Sequence, residues 1–392
     1  MIKTFLVAMV LVAWATPAHA QFKLPKKLEE LEQIARKDSN DAAAHYNVAL
    51  AYWNAKRWDD AERALRLAVK IEPQFAEGWL ALSRLPFARR SKLWDDIAER
   101  NVSAESQPTV DEAWRNYEHA FLINPLVDLR IEAAARPPKS AYWSATEQLL
   151  DLYDYLFGGF EDIESGKYDA AYSRFDRLVH DRLIASEKAD LPEFVYYFRG
   201  LAAAHLERWN DAIGDFELLL VNSQTRHSPD SLLYYIPIET NQYRYILGVL
   251  YQRAGKLEQA VQMYREALQN DIGLYMANAR LAGIAETNMN WPAAIKERRA
   301  AVNANPDDPS LLLDLGKAQA GAGDWAGAEQ TLKQALDANP RDSRVPYYLG
   351  IVQQHLNKKE EARASFDLFI ALAPSRYARQ VENAMQRLAA LR

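Results

Sequence analysis

A few strings in the chain carry residue types that could do chemistry. Gly321-Ala322-Gly323-Asp324-Trp325-Ala326 fits a loose G-x-G-x-x-A pattern, the form in which backbone amides and a helix terminus converge on a pyrophosphate. Such a loop must follow a strand, whereas this string lies between two helical patterns, so no nucleotide cofactor is expected. Ser165-Gly166-Lys167-Tyr168 lacks the upstream Gly and the Ser or Thr that a phosphate-binding loop needs. The 7 His are scattered, with no H-x-x-x-H spacing to put two ligands on one helical face. The acidic pairs Asp59-Asp60, Asp95-Asp96 and Asp307-Asp308 sit near expected helix starts, where capping and dipole stabilisation account for them. No G-x-S-x-G elbow is present, and with 0 Cys there is no thiol nucleophile and no zinc–cysteine or iron–sulfur site. The expectation is a protein that is not an enzyme and carries no cofactor or metal.

The elements around these strings belong to an ordinary globular mixture of 392 residues, 49% hydrophobic and 26% charged. With 47 Lys plus Arg against 53 Asp plus Glu, the net charge of -6 supplies no positive field for a polyanion, so nucleic acid is not an expected partner. Residues 1–20 read as a secretory signal peptide: Lys3, an apolar run from Phe5 to Trp14, then Ala18-His19-Ala20 before cleavage. The run is well short of the roughly 20 apolar residues that span a bilayer, and no later segment qualifies. A periplasmic or secreted protein without membrane insertion is expected.

The main signal is internal repetition. Segments beginning at Asn241, Tyr275, Pro309 and Ser343 follow one another every 34 residues, and Ala42, Leu152 and Glu193 open segments in the same frame. The eighth position is Ala49, Gly159, Gly200, Gly248, Ala282, Gly316 and Gly350. The twentieth is Ala61, Ala171, Ala212, Ala260, Ala294, Ala328 and Ala362. A large side chain opens the second half of most units: Trp58, Tyr168, Trp209, Leu257, Trp291 and Trp325, with Lys359 as the exception. Helical spacing on both halves predicts two amphipathic helices facing each other. Gly166, Gly255, Gly323 and Asn357 stand where the first helix must turn left-handed, and Pro73, Pro306, Pro340 and Pro374 stop the second.

This pattern resembles the tetratricopeptide repeat family over roughly residues 42–376. The resemblance implies an all-α, right-handed superhelical solenoid of antiparallel helix pairs. Departures from the family pattern are Leu178, Leu219 and Phe369 at position twenty-seven and Leu183, Gln224 and Ile272 in place of proline at thirty-two, so the middle repeats are looser. The expected organisation is an N-terminal helical region over 21–138, with one degenerate repeat, and a main array over 139–392, divided at Pro137-Pro138. Helices at 26–36 and 377–391 cap the ends. Two insertions, 86–109 and 222–240, break the period.

In the resembled family the first helix of each repeat lines a concave groove. Carried over position by position, the groove holds Tyr46, Trp53, Phe194, Tyr197, Tyr245 and Tyr347, with Arg280, Lys317 and Arg344 as its scattered cations. These cations lie in the wrong combination of repeats for a carboxylate clamp, which favours a partly apolar polypeptide segment of another protein as partner. The same aromatics would also suit packing between repeats, or across a superhelix closed on itself. The expected role is an adaptor or scaffold in a bacterial cell envelope. The alternative is a polysaccharide-binding or export-associated scaffold, for which 10 Trp, 20 Tyr and 13 Phe could offer stacking faces to a glycan.

Overall fold

The computed structural model describes residues 27–90, 92–98, 101–127, 158–163, 165–180, 193–225, 239–271 and 273–391. The expected signal peptide, the Pro137-Pro138 boundary and most of the 222–240 insertion lie outside the described residues. Among the described residues every regular element is helical. The fold is an all-α solenoid of antiparallel helix pairs forming a right-handed superhelix.

The N-terminal part comprises α1 (Leu28–Lys37), α2 (Ala42–Asn54), α3 (Trp58–Ile71), α4 (Ala76–Arg89), α5 (Lys92–Ala98) and α6 (Gln107–Ile123). The array that follows comprises α7 (Tyr168–His180), α8 (Glu193–His205), α9 (Trp209–Thr225), α10 (Thr240–Arg253), α11 (Leu257–Asn270), α12 (Tyr275–Thr287) and α13 (Trp291–Ala304). It ends with α14 (Pro309–Gly321), α15 (Trp325–Ala338), α16 (Arg344–His355), α17 (Lys359–Leu372) and α18 (Ala378–Ala390). A further helical turn, 158–163, precedes α7. The 86–109 insertion is not a plain loop: α4 runs on to Arg89, the short α5 follows, and Phe87, Leu93 and Ala113 close a small core beneath it.

Two local rules build each pair. At the turn between the helices the backbone is left-handed in all seven units: φ is 68°, 75° and 83° at Gly166, Gly255 and Gly323, and 57° at Asn357. Lys56, Glu207 and Met289 adopt the same conformation, at 56°, 59° and 54°, although their side chains make it costly. Across the pair, the small eighth residue receives the side chain sixteen places later. Added Cβ atoms at Gly200, Gly316 and Gly350 would lie 2.9, 2.7 and 2.8 Å from Phe216, Leu332 and Phe366. Helix axes can approach this closely only because one partner has no side chain there.

Adjacent repeats are joined by the residue that opens the second helix. Tyr168 stacks on His205 with ring centroids 4.1 Å apart, and Trp325 stacks on His355 at 3.9 Å, both nearly parallel. Trp291 covers Gly321, where a Cβ would meet its ring at 2.5 Å. The nucleotide-like string is thereby accounted for: Gly321 makes room for Trp291, Gly323 makes the left-handed turn, and Asp324 caps α15 by accepting from Gly327 N.

Candidate functional site

The N-terminal repeats fold back against the array in reverse order, and their helix ends meet it. A helix leaves its last four carbonyls without intrahelical donors, and here the array supplies them. Just past α1, Arg341 Nη2 donates to Ser39 O at 2.9 Å. At the end of α3, Asn339 Nδ2 donates to Lys70 O at 3.2 Å. At the end of α6, Tyr245 OH donates to Leu122 O, and Arg280 Nη2 donates to Ile123 O at 2.9 Å. The favour is returned by one residue: Asn40 Nδ2 donates to Arg341 O, between α15 and α16, and to Leu372 O, at the last residue of α17, at 2.7 and 2.9 Å.

Ionic contacts follow the same seam. Arg376 reaches Glu72 at 2.9 Å and Asp41 at 3.3 Å, and Asp38 Oδ2 accepts from Ser375 N and Oγ. Cations at helix C-termini also complement the negative end of the helix dipole, which suits Arg280 and Arg341 to their places. The seam has one apolar centre, where Phe121 and Leu126 join the array's core and Phe121 meets the Tyr245 ring edge-on at 6.0 Å.

Tyr245 is wholly buried, and burial raises its hydroxyl above the ordinary phenol range, with Arg280 opposing. Burial works against the charge on Arg280, but Tyr245 and Tyr264 beside it hold the guanidinium protonated. This pair therefore acts as a fixed donor set, with no proton to give or take near neutrality. Asp308 is held above the ordinary carboxyl range by burial, against the bonds it accepts from Ser310 and Gln74. His119 of α6 faces Asp308 and lies 6.3 Å from the Tyr275 ring and 4.7 Å from the Trp79 ring.

Burial depresses His119 below its ordinary value, with Asp308 opposing. The native state therefore favours the neutral ring, while the unfolded chain protonates near the usual value of about 6.5. The penalty is absent above that value and grows as pH falls through it towards the depressed native value. His119→Gln is expected to lose less stability than the wild type between pH 7.5 and pH 5.5, as read by urea midpoints. Equal losses would show that His119 is not part of the titrating seam.

The sequence-predicted wall residues whose side chains are described divide into three groups. Tyr46 packs edge-on against Phe75 at 5.1 Å, Trp53 against Trp58 at 6.0 Å, and Tyr197 against Phe216 at 5.4 Å. All three are buried, which gives them a packing role in place of an open wall. Phe194 falls on α8, with its side chain outside the described residues. Tyr245 and Arg280 do grip polypeptide, and the polypeptide is the chain's own. Arg344 is held bidentate by Asp342, at 2.9 and 2.7 Å, Lys317 by Asp314 at 2.8 Å, and Tyr347 donates to Asn383 at 3.0 Å. These last three are part-exposed.

Missed by sequence reasoning were Asn40, Asn339, Arg341 and Arg376, which lie at repeat junctions outside the family's groove positions. Among the described residues no group of three or more His, Cys, Asp or Glu is placed to hold a metal ion, and no helix is long and apolar enough to cross a membrane.

Helix pairs, left-handed turns and a wall that binds main chain together define a repeat solenoid. Tetratricopeptide repeat models match residues 42–75, 242–271 and 313–377, so these stretches carry tetratricopeptide repeats. The Protein CTR9 homolog of Arabidopsis thaliana is 33% identical over 105 residues, 26% of this chain, and the match spans only 10% of that protein's length. Among solved structures, the C-terminal part of a TPR repeat-containing protein from Cytophaga hutchinsonii shares 16% identity at a TM-score of 0.48, covering 60% of this chain and 87% of that one. MamA from Desulfovibrio magneticus RS-1 shares 16% at a TM-score of 0.39, covering 46% and 94%.

Proposed function

We propose that this protein is a non-catalytic adaptor or scaffold that binds another polypeptide through its tetratricopeptide repeats, exported to a bacterial cell envelope after removal of residues 1–20. One observation carries the binding part: Tyr245, Arg280, Asn339 and Arg341 all donate side-chain bonds to main-chain carbonyls. Main-chain recognition takes hold of any polypeptide of suitable shape, which favours a polypeptide partner over a glycan. The proposed partner surface runs from Tyr245 and Arg280 along the array to Lys317, Arg344 and Tyr347.

Cross-linking and affinity capture of the tagged protein from its native envelope tests this reading. The expected result is one or two recovered proteins, with the captured chain beginning at Gln21. Recovery of polysaccharide without protein would replace the reading with the glycan-scaffold alternative, and a chain still beginning at Met1 would remove the export step.

A further inference from the structure

The seam between the N-terminal repeats and the array has the make-up of a bound ligand more than of a continuous core. The N-terminal repeats close a core of their own, from Leu31 through Leu65, Leu80 and Ile123 to Val127, that includes no residue of the array. Phe121 and Leu126, with the half-buried Leu122 packed beside them, are the residues of α6 and its following turn that join the array's core. Apart from the His119–Tyr275 ring contact, the other contacts across the seam described above are hydrogen bonds and ion pairs, several to exposed or part-exposed groups: the Arg376 side chain is 36% exposed and Glu72 28%. Exposed ion pairs add little to stability, so the apolar plug and the carbonyl bonds hold the seam together.

We propose that Tyr245 and Arg280 form a receptor for the C-terminal end of an apolar helix, that the end of α6 is its built-in occupant, and that a partner helix of the same chemistry displaces it. The chemistry is visible in the occupant. Two consecutive helix-terminal carbonyls, at Leu122 and Ile123, are taken by one phenol and one guanidinium. An aromatic side chain, Phe121, meets the Tyr245 ring just before them. Asn124-Pro125 then ends the helix, with Asn124 Oδ1 accepting from Leu126 N at 3.1 Å, and this turn delivers Leu126 into the array's core. A helix interior could not satisfy the receptor, because its carbonyls are already bonded within the helix. The ligand must be a helix end that presents an aromatic residue, free carbonyls and a following apolar residue. The proposal rests on the polypeptide-binding reading above and specifies what that surface accepts.

The test uses the full mature chain and a fluorescein-labelled peptide of residues 113–127. Two independent openings are made: Arg341→Ala with Arg376→Ala, which removes contacts remote from the receptor, and Phe121→Ala, which removes the internal plug. Hydrogen exchange reads whether residues 120–127 lose protection. Fluorescence anisotropy reads peptide affinity. Both openings are expected to deprotect 120–127 and to raise peptide affinity at least tenfold over the wild type, and Tyr245→Phe with Arg280→Met in the opened chain should abolish the gain. Unchanged protection in both variants would overturn displaceability. Deprotection without any gain in peptide affinity would overturn the receptor. Either failure leaves the capture of a partner protein untouched, and conversely peptide binding with no captured protein would sink the adaptor reading while the receptor stands.

Discussion

Arg298→Ala is expected to destabilise the array by about 3–5 kcal/mol, the range for removing one member of a buried ion pair and leaving the others uncompensated. Arg298 stands sixteen places after Ala282, where other units carry Phe216, Tyr264, Leu332 or Phe366. It fills that interior position with a guanidinium that is 9% exposed. The charge is accommodated by a bidentate pair with Glu286, at 2.9 and 3.1 Å, and by Asp314 Oδ2 of the next repeat at 3.1 Å. Glu286 belongs to the same helix pair and Asp314 to the following one, so the residue stabilises a repeat and an interface between repeats. Solenoid stability is close to a sum of those two terms, and the substitution strikes both.

Asp314 sharpens the prediction. Burial works to raise its carboxyl, but Lys317 and Arg298 hold it well below the ordinary carboxylate range. A depressed carboxyl contributes stability that is full above its unfolded value of about 4 and is lost progressively as pH falls from there to the lower native value. Asp314 should therefore stay ionised in the native protein below pH 4, and Arg298→Ala should raise the pH of acid unfolding, as followed by circular dichroism. Replacing Glu286, Arg298 and Asp314 together by Leu should recover most of the loss, since the one charge then left without its partner, Lys317, is part-exposed. A single substitution costing less than about 1 kcal/mol in urea would show that water already screens the network.

The repeat frame was legible because its causes are local. A small residue at the eighth place and a large one opening the second helix are contacts between neighbours in sequence, and both recur seven times or nearly so. The left-handed turn was legible only where Gly or Asn marks it. At Lys56, Glu207 and Met289 the neighbouring helices impose the conformation on residues that do not favour it, and residue type gives no sign. The sixteen-place partner was also readable in principle, as the run Phe175, Phe216, Tyr264, Leu332 and Phe366. That run is less regular than the alanines at the twentieth place, because Leu and Arg298 interrupt its aromatics. The seam was beyond local reasoning. Tyr245 meets Leu122 and Asn339 meets Lys70 across 123 and 269 positions. Only the curvature of the superhelix, summed over many repeats, brings them together. Tyr245 and Arg280, which the family pattern offers to a partner, hold carbonyls of the chain itself, and that occupant could not be read from spacing.

Gly248→Val is expected to cost about 3 kcal/mol, at the upper end of ordinary overpacking. An alanine in a helix interior would gain about 1 kcal/mol over glycine by propensity alone. At this position, however, a Cβ would lie 2.4 Å from Tyr264 Cε1 and 2.5 Å from Cδ1, closer than real contacts permit. The ring has little freedom to retreat. Tyr264 is wholly buried, and its hydroxyl donates to Gln252 at 2.7 Å. Valine brings two further methyl groups into the same space, so the propensity gain is overwhelmed.

The effect should be strongly coupled to its partner. In a Tyr264→Leu background, which copies the Gly316–Leu332 pairing of a later repeat, Gly248→Val should cost about 1–2 kcal/mol less than in the wild type, a deviation typical of residues in contact. Urea unfolding of the four proteins measures it, and additive costs would mean that the helices separate as a unit instead of clashing at one ring. The substitution also reaches the seam. Tyr264 helps to hold Arg280, and Arg280 holds Ile123 O, so a displaced ring should loosen residues 120–127 in hydrogen exchange more than an equally destabilising change at Gly350. Gly350 packs on Phe366, in a separate core cluster that touches neither Tyr245 nor Arg280. The comparison separates loss of stability from loss of the grip on α6, because only the first is shared by the two glycines.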